Sequence, residues 1–153
     1  NPEKIAMPTR GIRRTLTWLG CAAALVACSS DTTFPAELAG AYTLTSVNGS
    51  ALPYNLPGTT PGTTARLVSG SLVLLDNGRF DEQLRFFLST TDNPAGGNTQ
   101  AQTIGDVSAG GGSITFKPRF EDSYSGTYTA STVTYTKQAS TNVAVTLVFT
   151  RGN

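Results

Sequence analysis

Asn77-Gly78 constrains this chain more than any other pair of residues. Leu74 and Leu75 precede it and Phe80 follows it. Such a pair between apolar stretches reverses the backbone, because a two-residue type I′ turn needs positive φ at both central positions. It predicts an antiparallel hairpin joining residues 66–76, bent at Gly70, to residues 79–90. In the second of these strands Phe80, Leu84, Phe86 and Leu88 share one face, while Asp81, Gln83 and Arg85 share the other. Phe87 breaks the alternation and is expected on the outer wall. Glu82 falls on the apolar face, where it either points into a barrel cavity with Arg66 or Arg85 nearby or is turned outward by a bulge.

The same alternation recurs along the chain. Ala41-Tyr42-Thr43-Leu44-Thr45-Ser46-Val47 reads as a first strand ending at Asn48-Gly49. Residues 50–64 hold Pro53, Pro57 and Pro61, and proline removes the amide donors a central strand needs. They are expected to form a long loop over one mouth of the fold, with Leu52, Tyr54 and Leu56 turned inward. A weak fourth strand, residues 100–108, centres on Ile104. Residues 113–117, 122–129, 132–137 and 142–150 complete the set, the last with Val143, Val145, Leu147 and Phe149 inward. No helix longer than a turn or two is suggested after residue 28. About eight consecutive strands with short links predict an all-β, antiparallel up-and-down barrel, which removes its own sheet edges by closing. An eight-stranded barrel leaves room inside for side chains or one small ligand.

The first 28 residues are of another kind. Arg10, Arg13 and Arg14 precede an apolar run over residues 16–27, and Leu25-Val26-Ala27-Cys28 ends it. The run is too short to span a hydrocarbon core of ~30 Å as a helix, but it suits the apolar region of a signal peptide. The last four residues resemble the lipobox of bacterial lipoproteins. That resemblance implies cleavage before Cys28 and lipidation of its sulfur and new amine. Several acyl chains, at ~0.8 kcal/mol per buried methylene, anchor a protein stably. The expected organisation is a signal peptide over residues 1–27, with 1–6 as a possible upstream extension before Met7. A lipidated tether over 28–38 and a barrel domain over 39–153 follow. Ser29 after the cysteine resembles the outer-membrane sorting pattern of Gram-negative lipoproteins. The expected location is the bacterial cell envelope, lipid-anchored, on the outer membrane if the host is Gram-negative.

The residues present narrow the chemistry. The chain has no His and two Cys, one of them, Cys21, in the leader. Histidine-based triads and most zinc sites are therefore excluded, and no disulfide is expected in the domain. No basic stripe marks a nucleic-acid surface. Gly110-Gly111-Gly112 lacks the lysine and helix start of a phosphate loop, and reads as a hairpin turn. Asp81 and Glu82 point to opposite faces of a strand and cannot act as a pair. Glu121 and Asp122 read as solvated acids at a turn. No enzyme activity, metal or cofactor is expected. The candidate ligand-binding residues are Tyr54, Glu82, Phe86, Tyr124, Tyr128 and Tyr135. Alternatively the tyrosines belong to core or rim.

Gly40-Ala41-Tyr42, Asn48-Gly49, Asn77-Gly78-Arg79-Phe80, Ser113-Ile114-Thr115-Phe116, Ser125-Gly126-Thr127-Tyr128 and Phe149-Thr150-Arg151 occur in an order that resembles bacterial lipocalin-like lipoprotein domains. A second, fainter likeness, through residues 44–52, is to the META domain of envelope proteins. The lipocalin resemblance implies a small calyx. Tyr42 stands where lipocalins carry a tryptophan, and Arg151 where an arginine of the last strand covers it, so the two are expected to meet at the closed end. The expected function is an envelope lipoprotein that binds a small apolar or amphipathic ligand. The alternative is a structural or inhibitor-type module with a solidly packed barrel that contacts another envelope protein.

Overall fold

The computed structural model describes residues 34–57, 59–140 and 143–152. The leader, Cys28 and most of the expected tether lie outside them. A 3-10 turn, Ala36–Leu38, leads into β1 (Gly40–Val47). There follow β2 (Ser50–Ala51), β3 (Tyr54–Asn55), β4 (Thr63–Leu74), β5 (Arg79–Thr90) and β6 (Gly97–Gly110). The last four are β7 (Ser113–Pro118), β8 (Tyr124–Tyr128), β9 (Thr132–Ser140) and β10 (Val143–Arg151). All neighbours are antiparallel, in the order β2-β1-β10-β9-β8-β7-β6-β5-β4-β3. Strand β1 also pairs with β4, from Gly40↔Leu74 to Thr43↔Ser71, and so closes the sheet. Eight strands form the wall of this antiparallel barrel, and β2 and β3 are two-residue additions to it.

Turn chemistry sets the hairpins, with one reassignment. Asn48 and Gly49 have φ of 49° and 78°, so the two-residue turn with positive φ at both positions joins β1 to β2. At the second pair only Gly78 has positive φ. There Leu75 N–H bonds Arg79 O at 2.8 Å and Gly78 N–H bonds Leu75 O at 3.1 Å. This is a three-residue loop in which Gly78 supplies the left-handed position, not the expected type I′ turn.

Two register shifts aim the core. Val68 is an extra residue in β4, between the pairs Leu67↔Phe86 and Ser69↔Arg85. Before it Ala65 and Leu67 point inward, and after it Leu72 and Leu74 do. The irregularity therefore lies at Val68 rather than at the expected Gly70, because one unpaired residue reverses every later side chain. A shift at Thr45 in β1 likewise turns Val47 inward after Tyr42 and Leu44. In β6 the buried positions are Thr103, Gly105 and Val107, so Ile104 lies half-buried on the outer face.

The barrel has a plugged end and a mouth. Phe34 and Leu38 are buried in the core cluster, so the compact domain begins by Phe34 and the expected tether is shorter than residues 28–38. Fully burying such side chains contributes ~1.5–3 kcal/mol each, which offsets part of the cost of ordering the segment. The turns at residues 75–78, 111–112 and 129–131 lie at this plugged end. The connections 48–62, 91–96 and 119–123 lie at the mouth. Phe116 sits in a ring cluster with Phe80, Tyr124 and Tyr135 at centroid separations of 4.8–5.1 Å, and Tyr135 stacks on Phe149 at 5.6 Å. The outward faces carry Asp81, Gln83, Arg85, Gln100, Gln102 and the threonines of β9. A membrane-spanning barrel needs the reverse, an apolar outside.

Candidate functional site

Above the ring cluster the apolar filling stops. Glu82 projects inward from β5, between Leu72 of β4 and Thr103 of β6. Its side chain is 1% exposed. A buried carboxylate must be paired and hydrogen-bonded, and β9 supplies both partners. The Tyr135 hydroxyl donates to Glu82 Oε2, and Lys137 Nζ donates to Oε1 at 2.7 Å. Tyr135 and Lys137 follow Val133 at two-residue spacing, the inward period of a strand. Arg66 is not a partner of Glu82. Its guanidinium lies 5.1 Å from the Phe87 ring centroid. Arg85 is exposed on the outer face. A lysine can reach Glu82 across the barrel, where β5 and β9 face each other; an arginine projecting outward from β4 or β5 cannot.

Lys137 is the hub of this cluster. Its side chain is 12% exposed and lies 3.7 Å from Glu121 Oε2, 3.5 Å from Thr103 Oγ1 and 5.5 Å from the Tyr124 ring centroid. Thr103 Oγ1 also donates to Glu121 Oε1 at 3.3 Å. Glu121, expected to be a free surface acid, instead ties the 119–123 connection across the gap between β6 and β9. The Tyr124 hydroxyl is buried and has no hydrogen-bond partner among the described residues. Burial pushes the Tyr124 phenol well above the ordinary value for tyrosine, and the Glu82 and Glu121 carboxylates push it the same way. Burial, then Glu82 and Tyr124, raises Tyr135. Both phenols therefore stay neutral, able to donate hydrogen bonds at neutral pH.

Two hollows meet at Lys137. One, of about 200 Å³, is the upper interior of the barrel. It is walled by Leu56, Leu67, Leu84, Phe86, Val145 and Leu147, with Thr103, Glu121 and Lys137 on its polar side. The other, of about 460 Å³, is an open furrow between the 119–123 connection and β9, lined by polar residues and Tyr124. The smaller has the character of a ligand pocket, apolar walls with a few convergent polar groups, although it is the less voluminous.

The expected ligand-binding residues divide between these places. Phe86 lines the interior hollow and Tyr124 the furrow. Glu82 and Tyr135 lie beneath, as buried support for Lys137. Tyr54 packs half-buried against the core, its hydroxyl accepting from Asn48 Nδ2 at 2.9 Å, and it does not line the hollow. Tyr128 is half-buried at the plugged half of β8, away from both hollows. Leu56 is the tooth of the proline-rich connection that reaches the interior wall. Lys137 and Thr103 were not among the expected site residues. The two-residue inward period of β9 carried the signal for Lys137.

At the other end Arg151 lies over the Tyr42 ring, 5.1 Å from its centroid, and Nη2 donates to Ala39 O at 2.6 Å. Tyr42 and Arg151 are directly paired between β1 and β10. A Cβ on Gly40 would lie 3.2 Å from Arg151 Nη2, so glycine makes room for the guanidinium. The Tyr42 hydroxyl donates to Leu38 O at 2.8 Å and fixes the plug. Among the described residues no cluster of metal-ligating side chains is present, and no helix is long and apolar enough to cross a membrane. Comparisons with protein-family models, curated proteins and solved structures return no match to this chain.

Proposed function

We propose that this protein is a lipid-anchored envelope protein whose barrel holds a small amphipathic ligand in its mouth. The observation that carries the reading is the hollow of about 200 Å³, apolar on most of its wall and bordered on one side by Lys137, Thr103 and Glu121. That volume is below the ~300–1,000 Å³ usual for drug-sized ligands, so it suits a small molecule or the end of a longer one. An apolar part would occupy the wall of Leu67, Leu84, Phe86 and Leu147. A polar head would meet the Lys137 cluster. The ring cluster beneath is the floor and limits how deep a ligand can go. The described chain enters the barrel at the plugged end, so an anchor on Cys28 would hold that end and leave the mouth facing away from the membrane.

The test is titration of the full chain in detergent with an environment-sensitive apolar dye, alongside Ala139→Phe. Ala139 borders the hollow and is itself exposed, so a larger ring there occludes the mouth at low cost to the core. Saturable dye binding in the wild type, lost in Ala139→Phe, supports the reading. Binding unchanged by the substitution, or no binding above detergent alone, removes it. Membrane fractionation of Cys28→Ser tests the anchor separately. Mature-sized protein still in membranes would contradict lipidation at that position.

A further inference from the structure

The upper half of β6 is an open sheet edge. Strand β7 reaches only to the pair Gly105↔Pro118, so, among the described residues, positions 97–103 have a strand neighbour only on the β5 side. In an antiparallel ladder alternate residues aim both backbone groups at the same neighbour. Ile104 O accepts from Arg119 N–H on the β7 side, and Val107 N–H donates to Gly78 O on the β5 side. Asn98, Gln100 and Gln102 therefore aim their N–H and C=O groups outward, with no strand beside them among the described residues.

Proteins usually blunt such edges with charge, proline or a bulge. Residues 97–105 contain neither a charged residue nor a proline, residues 97–102 are exposed, and the register with β5 is unbroken. The rim across the gap differs, since upper β9 carries the inward charge of Lys137.

We propose that this edge pairs antiparallel with β6 of a second copy of the chain, about a two-fold axis at Gln100. The register follows from the outward residues: Gln100 opposes Gln100, and Asn98 opposes Gln102 of the other copy. A two-fold contact uses the same surface twice, so both exposed edges are satisfied together. Like meets like without repulsion because the strand is uncharged. Asn98, Gln100 and Gln102 on the outer face can join into amide ladders, and Thr99 and Ala101 on the inner face are small. Phe120 gives independent support. It is 92% exposed and follows Arg119, whose N–H is bonded to Ile104 at the end of the open edge. The antiparallel register brings Pro94 and Ala95 of the second copy to that end, where they cover the ring.

The test is sedimentation of the full chain in detergent over a concentration series, for the wild type, Gln100→Pro and Gln100→Lys. Proline at an outward position removes no backbone hydrogen bond within the barrel, only the exposed side-chain contact of Gln100 Nε2 to Gln83 Oε1 at 3.2 Å, and is tolerated at edges. Lysine sets like charges opposite each other at the axis. The expected result is a twofold rise in sedimenting protein mass with concentration in the wild type, absent from both variants. Where thermal melting shows Gln100→Pro to be unfolded, Gln100→Lys alone decides. A wild type that keeps the single-chain mass throughout overturns the proposal. So does a doubled mass that persists in the folded variants, since they retain the leader and every other surface.

Discussion

Glu82 is the residue on which the upper barrel depends. Its charge is tolerated because Lys137 and Tyr135 meet both carboxylate oxygens. Removing one partner of such a pair leaves an uncompensated buried charge, at a cost of ~3–5 kcal/mol, whereas replacing both by apolar groups is often neutral. Lys137→Met should therefore lower unfolding free energy by ~3–5 kcal/mol in urea, and adding Glu82→Leu together with Tyr135→Phe, which removes the phenol left without an acceptor, should restore most of it. An unchanged Lys137→Met variant would contradict this role. The buried phenols set a second expectation. Tyr42, Tyr124 and Tyr135 are all raised above the ordinary 10.0, burial being the first cause in each. Above that value the unfolded chain loses phenolic protons that the folded chain keeps, so stability falls as pH rises past about 10. Alkaline titration should show tyrosinate absorbance from these rings rising together with loss of near-ultraviolet circular dichroism. Tyrosinate from all five tyrosines of the chain with the fold intact would contradict it. The inward direction of Glu82 was legible from alternation alone. Its partner was not, because pairing across a barrel interior depends on closure and on β9 standing opposite β5.

At the scale of elements, the strands were legible wherever apolar residues alternate, as in β5, β7, β9 and β10. The start of β6 was not, since Gly97, Asn98 and Thr99 carry no apolar signal and are ordered by pairing with β5. Bulges were missed for a related reason. Nothing about Val68 marks it as the unpaired residue until the partner strand fixes the count. Asn48-Gly49 and Asn77-Gly78 share a composition but make different turns, so the pair announces a reversal without its register. The proline-rich connection packs Leu52, Tyr54 and Leu56 against the core, and Leu56 borders the hollow. Amide exchange of residues 52–56 should slow when a ligand or dye occupies the mouth. Exchange unchanged at saturation would show that this connection does not cover the ligand.

For the whole molecule, closure is the property on which hollow and plug both depend. The β1–β10 and β1–β4 pairings complete the wall, and Tyr42, Arg151, Ala39 and Leu38 bind the plug to the seam. A double-mutant cycle of Tyr42→Leu and Arg151→Gln should give a coupling of ~0.5–2 kcal/mol in urea unfolding. Zero coupling would mean that the guanidinium and ring are independent. The barrel itself could be read from strand count and spacing. The depth of the filling could not, because it depends on where the rings of Phe116, Tyr124 and Tyr135 stop and Glu82 begins. The central claim is that the space above them holds a small amphipathic molecule. Native mass spectrometry of the full chain, released intact from its host envelope, tests that most directly. The account predicts a non-covalent adduct of one small molecule, dissociating at low collision energy and missing from Ala139→Phe. A bare chain at every energy, or an adduct that Ala139→Phe retains, would contradict it.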